Sequence, residues 1–277
     1  MLTRREFLRS AGATGLAALV SPRLFRTEKL DRIGVQLYMV RGALQQDFEG
    51  TLRDIAAIGF REVEFAGYFG RTPSGIAMAV KRWGMTAPGS HITYERLITQ
   101  WTRTLDEASG AGHDFVVLPW VPEEVRKTAD DWSRLAELLN RSGHAARAAG
   151  LRLAYHNQVY DFAPVDGVTP FDRLAAATDP DALAFELDVY WCVKSGGDPI
   201  AALERYPGRF PLIHAKDAGP APERKMMDVG SGTVDWKAVL SHKASAGIEH
   251  VFVEHDEPAN PFTSAATSYR YLRRLSF

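Results

Sequence analysis

The sequence predicts an α/β chain folded as a (β/α)8 barrel. Three observations carry that expectation. Eight short stretches of strand type recur from residue 33 onward, most of them β-branched or aromatic and apolar on both faces, as suits a parallel sheet covered by helices. Helical patterns lie between them, several closed by glycine just before the next strand, as in "AIGF", "AAGL" and "SAGI". Eight strands, seven connections and a closing helix fill about 245 residues, a typical size for this barrel.

The strands are expected at "IGVQLY" (33–38), "EVEFAG" (62–67), "GMTAPGSH" (84–91), "DFVVLPW" (114–120), "LRLAYH" (151–156), "LAFELD" (183–188), "FPLIHA" (210–215) and "HVFVEH" (250–255). Pro88 and Gly89 interrupt the third. Among the helical patterns, "FEGTLRDIAAIGF" puts Leu52, Ile55 and Ala56 on one face. "DDWSRLAELLNRSGHAARAAG" does the same for Trp132, Leu135, Leu138 and Leu139 and stops at Gly150. "DWKAVLSHKASAG" and "FTSAATSYRYLRRL" supply the remaining named helices. A doubly wound open sheet is the competing architecture. It usually carries a glycine-rich nucleotide turn after the first strand, and "VQLYMVRG" has no GxGxxG. No Pro, Ser or Gly linker divides the chain, so 29–277 reads as a single domain.

The first 28 residues are of another kind. "TRREFLRSAGATGLAALVSP" opens with Arg4 and Arg5, and a small-residue apolar run from Ala11 to Val20 follows. That is the basic and apolar pattern of an export signal, and TRREFL resembles the twin-arginine type. The alternative is an amphipathic N-terminal helix. The expected destination is the periplasm or another exported location, with no stable membrane span in the mature protein, because the apolar run is short for a bilayer.

Composition narrows the function. With 277 residues, 45% hydrophobic and 24% charged, the chain has ample material for a core. A net charge of -1 without long single-sign runs gives no electrostatic footprint for nucleic acid. The single cysteine, Cys192, excludes an internal disulfide framework.

A barrel places its chemistry at the C-terminal strand ends. Those ends carry Gln36, Glu64, His91, then His156 with Asn157, Asp188, His214 with Lys216 and Asp217, and Glu254 with Asp256. Two imidazoles and two carboxylates, His156, Asp188, His214 and Glu254, are expected to converge on one divalent ion. Mixed nitrogen and oxygen donors suit Mn²⁺, Co²⁺, Fe²⁺ or Zn²⁺, and pure oxygen would favour Mg²⁺ or Ca²⁺; the expected ion is one of Mn²⁺, Co²⁺, Zn²⁺, Fe²⁺ or Mg²⁺. Strand alternation puts Lys216 on the side of His214, where it would neutralise a substrate oxyanion; Asp217 points away and braces the loop. Gln36, Glu64, His91 and Asn157 are expected to contact substrate. His113, His144, His242 and His250 sit in helices or at strand starts, on the wrong side.

At these residues the chain resembles the sugar phosphate isomerase/epimerase group of xylose isomerase-like TIM barrels, a superfamily that includes an abasic-site endonuclease branch. The resemblance covers about residues 31 to 277 and is carried by "VQLYMVR", "GFREVEFAGYFG", "APGSHITYERL", "VVLPW", "LAYHNQVYDF", "LDVYWCVKSGGDP", "LIHAKD", "DVGSGTVDW" and "VFVEHDEP". It implies Glu, Asp, His and Glu ligands from the fifth to eighth strands, the two Glu doubling as the acid/base pair. Asp188, His214 and Glu254 match, but His156 stands where the first Glu is expected. A neutral imidazole ligand cannot also be a carboxylate base. The resemblance implies an acidic residue at Asp161, which is expected to supply the second proton-transfer group beside Glu254; the alternative is that Asp161 only caps the loop before Pro164. Trp191 stands where many relatives place a histidine and would stack on a sugar ring, as would Trp120.

The expected function is a metal-dependent isomerase or epimerase of a small-molecule carbohydrate. It would act on a non-phosphorylated sugar or keto-sugar through an enediolate. Export argues against a phosphorylated substrate. The alternatives are a lyase or hydratase eliminating from a keto-sugar or 3-keto glycoside, and an exported non-catalytic sugar-binding barrel. A trimetal endonuclease would need more His and acidic ligands and a basic surface. The loop "ERKMMDVGSG" is long enough to bring Arg224 or Lys225 to substrate.

Overall fold

The computed structural model describes residues 28–277. The expected export segment, apart from Glu28, lies outside the described residues. Eight parallel strands close into a barrel. They are β1 (Gly34–Gln36), β2 (Glu62–Phe65), β3 (Thr86–His91), β4 (Phe115–Leu118), β5 (Arg152–His156), β6 (Leu183–Asp188), β7 (Leu212–Ala215) and β8 (His250–Val253). Each lies within the stretch predicted for it. β1 is the most shortened, because the Gln36 side chain accepts from the Tyr38 amide and turns the chain into a 3-10 helix at Leu37–Val40. Among the described residues, no helix is long and apolar enough to cross a membrane.

The named helices form at Phe48–Ile58, Ala129–Ala148, Trp236–Ser241 with Lys243–Ala246, and Pro261–Arg274. The structure adds helices at Pro73–Arg82, Trp101–Ala111, Pro170–Ala177 and Pro199–Arg205. Three of these four begin with an N-cap followed by proline: Thr72 before Pro73, Thr169 before Pro170 and Asp198 before Pro199. Proline at the first helical position costs no hydrogen bond and presets φ, so these starts are written in the sequence as TP, TP and DP.

Inside the barrel the side chains stack in layers. Phe115, Val117, Ala154, Ala184, Leu212 and Phe252 form an apolar layer separate from the core beneath the helices. Gly34 leaves room for it: a Cβ there would lie 2.4 Å from the Phe252 ring. Strand alternation then lifts Glu186 and Asp188 above Ala184, His214 above Leu212, and Glu254 above Phe252. Register sets Asp188 beside His214 and His156 beside Glu186. The polar residues therefore occupy the C-terminal half of the barrel and the apolar layer seals its floor. At the opposite end, His250 pairs with Glu62 at 2.9 Å, away from the mouth.

Candidate metal centre at the barrel mouth

A cavity of about 470 Å³ opens at the C-terminal mouth. Of the expected site residues, His91, Trp120, His156, Trp191, Lys216 and Glu254 line it. Tyr38, Arg96, Gln158 and Asp256 line it as well. Arg96 comes from the helix after β3, where its guanidinium is tied to Thr104 and Glu107.

His156, Asp188, His214 and Glu254 are all buried and bring one ligand atom each within 4.8 Å of the others. His156 Nε2 lies 3.2 Å from Asp188 Oδ2, and His214 Nδ1 lies 2.9 Å from Glu254 Oε2. Ligands held at ~2.1 Å from a common ion stand about 3.0–4.2 Å apart, so these spacings suit one ion. The decisive feature is what these atoms lack. His156 Nε2, Asp188 Oδ2 and His214 Nδ1 are buried with no well-aligned hydrogen bond; their close contacts are the charged groups of the cluster itself, Asp188, Glu254 and Lys216. Three such atoms aimed at one point fit a divalent cation, and the nitrogen and oxygen donors suit a transition ion.

Charge points the same way. Asp188, Glu254 and Asp256 meet around one buried ammonium, that of Lys216. Its Nζ lies 2.9 Å from Asp188 Oδ2, 2.7 Å from Glu254 Oε2 and 2.9 Å from Asp256 Oδ1. Burial alone would lower the Lys216 pKa, but the three carboxylates outweigh it and hold it well above the ordinary lysine range. Burial would raise Glu254, but the Lys216 ammonium and His214 hold it well below the usual carboxylate range. Asp256, half-shielded, goes the other way: burial dominates and its pKa rises. Lys216 Nζ also sits 6.0 Å from the centre of the Trp191 ring.

A second layer lies just below. Glu64 Oε2 accepts from Gln36 Nε2 at 2.7 Å and lies 2.8 Å from His214 Nε2. His91 Nε2 lies 2.9 Å from Glu186 Oε2 and 3.1 Å from Glu64 Oε2. Burial would lower the His91 pKa, but Glu64 and Glu186 outweigh it and push it up to about 9. Glu186 has no place among the sequence-predicted residues, although its signal was available: a carboxylate two positions before Asp188, in an otherwise apolar strand, shares its face.

Four expectations are corrected. Gln36 and Glu64 do not line the cavity; both are fully buried and spent on each other and on His214. Asn157 does not line it either. Its amide donates to the Asp188 carbonyl at 3.1 Å and accepts from the Asp188 amide at 2.9 Å, so it clamps β5 to β6. Asp161, expected as the second proton-transfer group, is fully buried away from the cavity. It accepts from Tyr155 Oη at 2.9 Å and from the Gln158 amide at 2.6 Å, which closes the loop after β5. Arg224 and Lys225 are absent from the cavity wall too: Met226–Met227 pairs with Asp217–Ala218 and folds that loop back on itself. Asp217 braces it as expected, accepting from the Gly230 and Val234 amides and Trp236 Nε1.

Asp161 yields a prediction. Burial, only partly offset by its hydrogen bonds, pushes its pKa up to about 7. A carboxyl raised above its unfolded value binds more protons in the folded state, so stability falls as pH rises through that window. Asp161→Asn should flatten the fall in stability between about pH 4 and pH 7, a difference of a few kcal/mol across the window, and leave turnover near wild type. A large loss of turnover with unchanged stability would restore Asp161 to the chemistry.

The comparisons agree with this fold. The family model described as Xylose isomerase-like TIM barrel matches residues 34–275. An inosose dehydratase of Lacticaseibacillus casei is 32% identical over 165 residues, 52% of this chain and 55% of the relative. The chain thus spans about half the length of that curated relative. An inosose dehydratase of Geobacillus kaustophilus is 24% identical over 81% of this chain and 86% of the relative. Among solved structures, a sugar phosphate isomerase/epimerase from Parabacteroides distasonis superposes with a TM-score of 0.77 at 26% identity. That match covers 87% of this chain and 93% of the other.

Proposed function

The chain belongs to the xylose isomerase-like TIM barrel family, and from that premise we propose that it is a divalent-metal-dependent lyase. Its reaction would remove water from a polyhydroxylated ring ketone, a keto-sugar or keto-cyclitol. The observation that carries this reading is the one-sidedness of the carboxylates at the cavity wall. The carboxylates at the cavity wall, Glu254 and Asp256, both come from the end of β8, and Asp161 faces elsewhere. Epimerisation needs proton transfer on two faces of a carbon. Elimination of a proton and a neighbouring hydroxyl from one face needs a single group. The names of the dehydratase relatives support the same choice.

His156, Asp188, His214 and Glu254 would hold the ion. When bound, it supplies Lewis-acid polarisation of the ketone and the adjacent hydroxyl. Lys216, fixed as an ammonium, donates to the ketone oxygen as negative charge develops there. Glu254 accepts the proton from the carbon next to the carbonyl. The electron pair of that C–H bond becomes a C=C bond as the C–O bond of the β-hydroxyl breaks. The proton taken by Glu254 leaves with that hydroxyl as water, and atoms and charge balance. Trp191 and Trp120 offer apolar faces to the ring.

An isomerase or epimerase is the second reading, supported by the likeness to the Parabacteroides distasonis structure and by His91 reaching the cavity from β3. The two separate by product. Metal-loaded protein incubated with ring ketones in D₂O should give a product lighter by one water. Solvent deuterium in an epimer of unchanged composition would replace the lyase by the epimerase. Binding without either product would favour the sugar-binding barrel.

A further inference from the structure

His214 belongs to two groups at once. One is the proposed ion site. The other is Glu64, His91, Glu186 and His214, whose ligand atoms also lie within 4.8 Å of one another. A neutral imidazole has one lone pair and one N–H, so His214 cannot ligate in both groups in that form. The hydrogen bonds decide between them. In the lower group His214 Nε2 bonds Glu64 Oε2 and His91 Nε2 bonds Glu186 Oε2. In the upper group His214 Nδ1 faces the Glu254 carboxylate at 2.9 Å, and His156 Nε2 faces Asp188 Oδ2 at 3.2 Å, with no well-aligned hydrogen bond at any of the three atoms, whereas Glu64 is itself anchored by Gln36.

We infer that Glu64 is a positioning residue that holds His214 as the Nε2–H tautomer, so that Nδ1 presents its lone pair to the ion site, and that the lower group is this support rather than a second ion site. The inference rests on the metal reading above. Gln36 fixes the carboxylate in turn, since its Nε2 donates to the same Oε2 that faces His214. The arrangement is built into the strands. Glu64 stands in register with Gly89 of β3, and a Cβ at residue 89 would lie 2.6 Å from Glu64 Oε1. A bare backbone at that position seats the carboxylate. Carboxylate partners of this kind orient ligand histidines and raise their basicity, and losing one typically costs 10–100-fold in metal affinity.

The test uses zinc uptake and ring-nitrogen NMR on the full protein. Wild type should take up one ion per chain, with a proton on His214 Nε2 and zinc on Nδ1. Glu64→Leu, close in size and without an acceptor, should bind zinc 10–100-fold more weakly at the same stoichiometry. Glu64→Gln keeps an acceptor oxygen and should restore most of that affinity. A Glu64→Leu protein that binds as tightly as wild type overturns the inference alone. So does zinc on His214 Nε2 in wild type, a reading that holds even if the Leu variant does not fold. A wild type that takes up no ion overturns the metal reading and this inference together.

Discussion

Asp188→Asn should abolish stoichiometric metal binding and turnover while leaving the barrel folded. The two oxygens of Asp188 do different things. Oδ1 accepts from the Trp191 amide at 2.8 Å and caps the helix Val189–Lys194. Oδ2 points into the cluster, 3.2 Å from His156 Nε2 and 2.9 Å from Lys216 Nζ. Asparagine keeps the capping oxygen and turns the other position into a donor, which cannot ligate a cation. Alanine would also lose the cap, worth about 1 kcal/mol, and confuse the result. An ion bound only by the folded state stabilises it by linkage, about 2.7 kcal/mol at a concentration 100 times Kd. The melting temperature of wild type should therefore rise with added ion and that of Asp188→Asn should not. Full metal content in the variant would remove Asp188 from the ligand set.

Lys216→Met should be the most damaging single change to the metal-free protein. Lys216 is 2% exposed and is the counter-charge for Asp188, Glu254 and Asp256. Methionine fills the space and leaves three carboxylates facing one another, and breaking a buried charge set in this way costs about 3–5 kcal/mol. The pH dependence should change sign. In wild type the lowered pKa values of Asp188 and Glu254 mean that their stabilisation is present above the unfolded carboxylate range and is lost as pH falls. Without the ammonium, those carboxyls become harder to ionise than in the unfolded chain, so acid should stabilise the variant. Added divalent ion should recover part of the loss by taking over the counter-charge. Turnover of the loaded variant should remain about 10²–10³-fold down, the typical cost of one donor to a developing oxyanion. Equal stability and turnover in the variant would refute this role.

The barrel and its catalytic end were legible because both follow from local pattern. Apolar strands of even spacing fix the sheet, and alternation forces His214, Asp188 and Glu254 inward once the apolar layer below them is inward. What the sequence hid was which polar residues reach the cavity. Glu64 and Glu254 both end strands as carboxylates, yet Glu64 lies one layer deeper, beside a glycine that makes room for it. Strand shear sets that depth, and the spacing of residues along one chain does not reveal it. Asp161 was misjudged for a related reason: the 3-10 turn Val159–Phe162 rotates it under Gln158 and against Tyr155. The interruption at Pro88 and Gly89 looked like a defect in β3 and is the seat of Glu64.

Diffraction from crystals soaked in Mn²⁺, recorded for its anomalous signal, tests the central claim most directly. The account predicts one peak per chain, about 2.0–2.3 Å from His156 Nε2, Asp188 Oδ2, His214 Nδ1 and a Glu254 oxygen. A peak among Glu64, His91 and Glu186, or none at the barrel mouth, would contradict it.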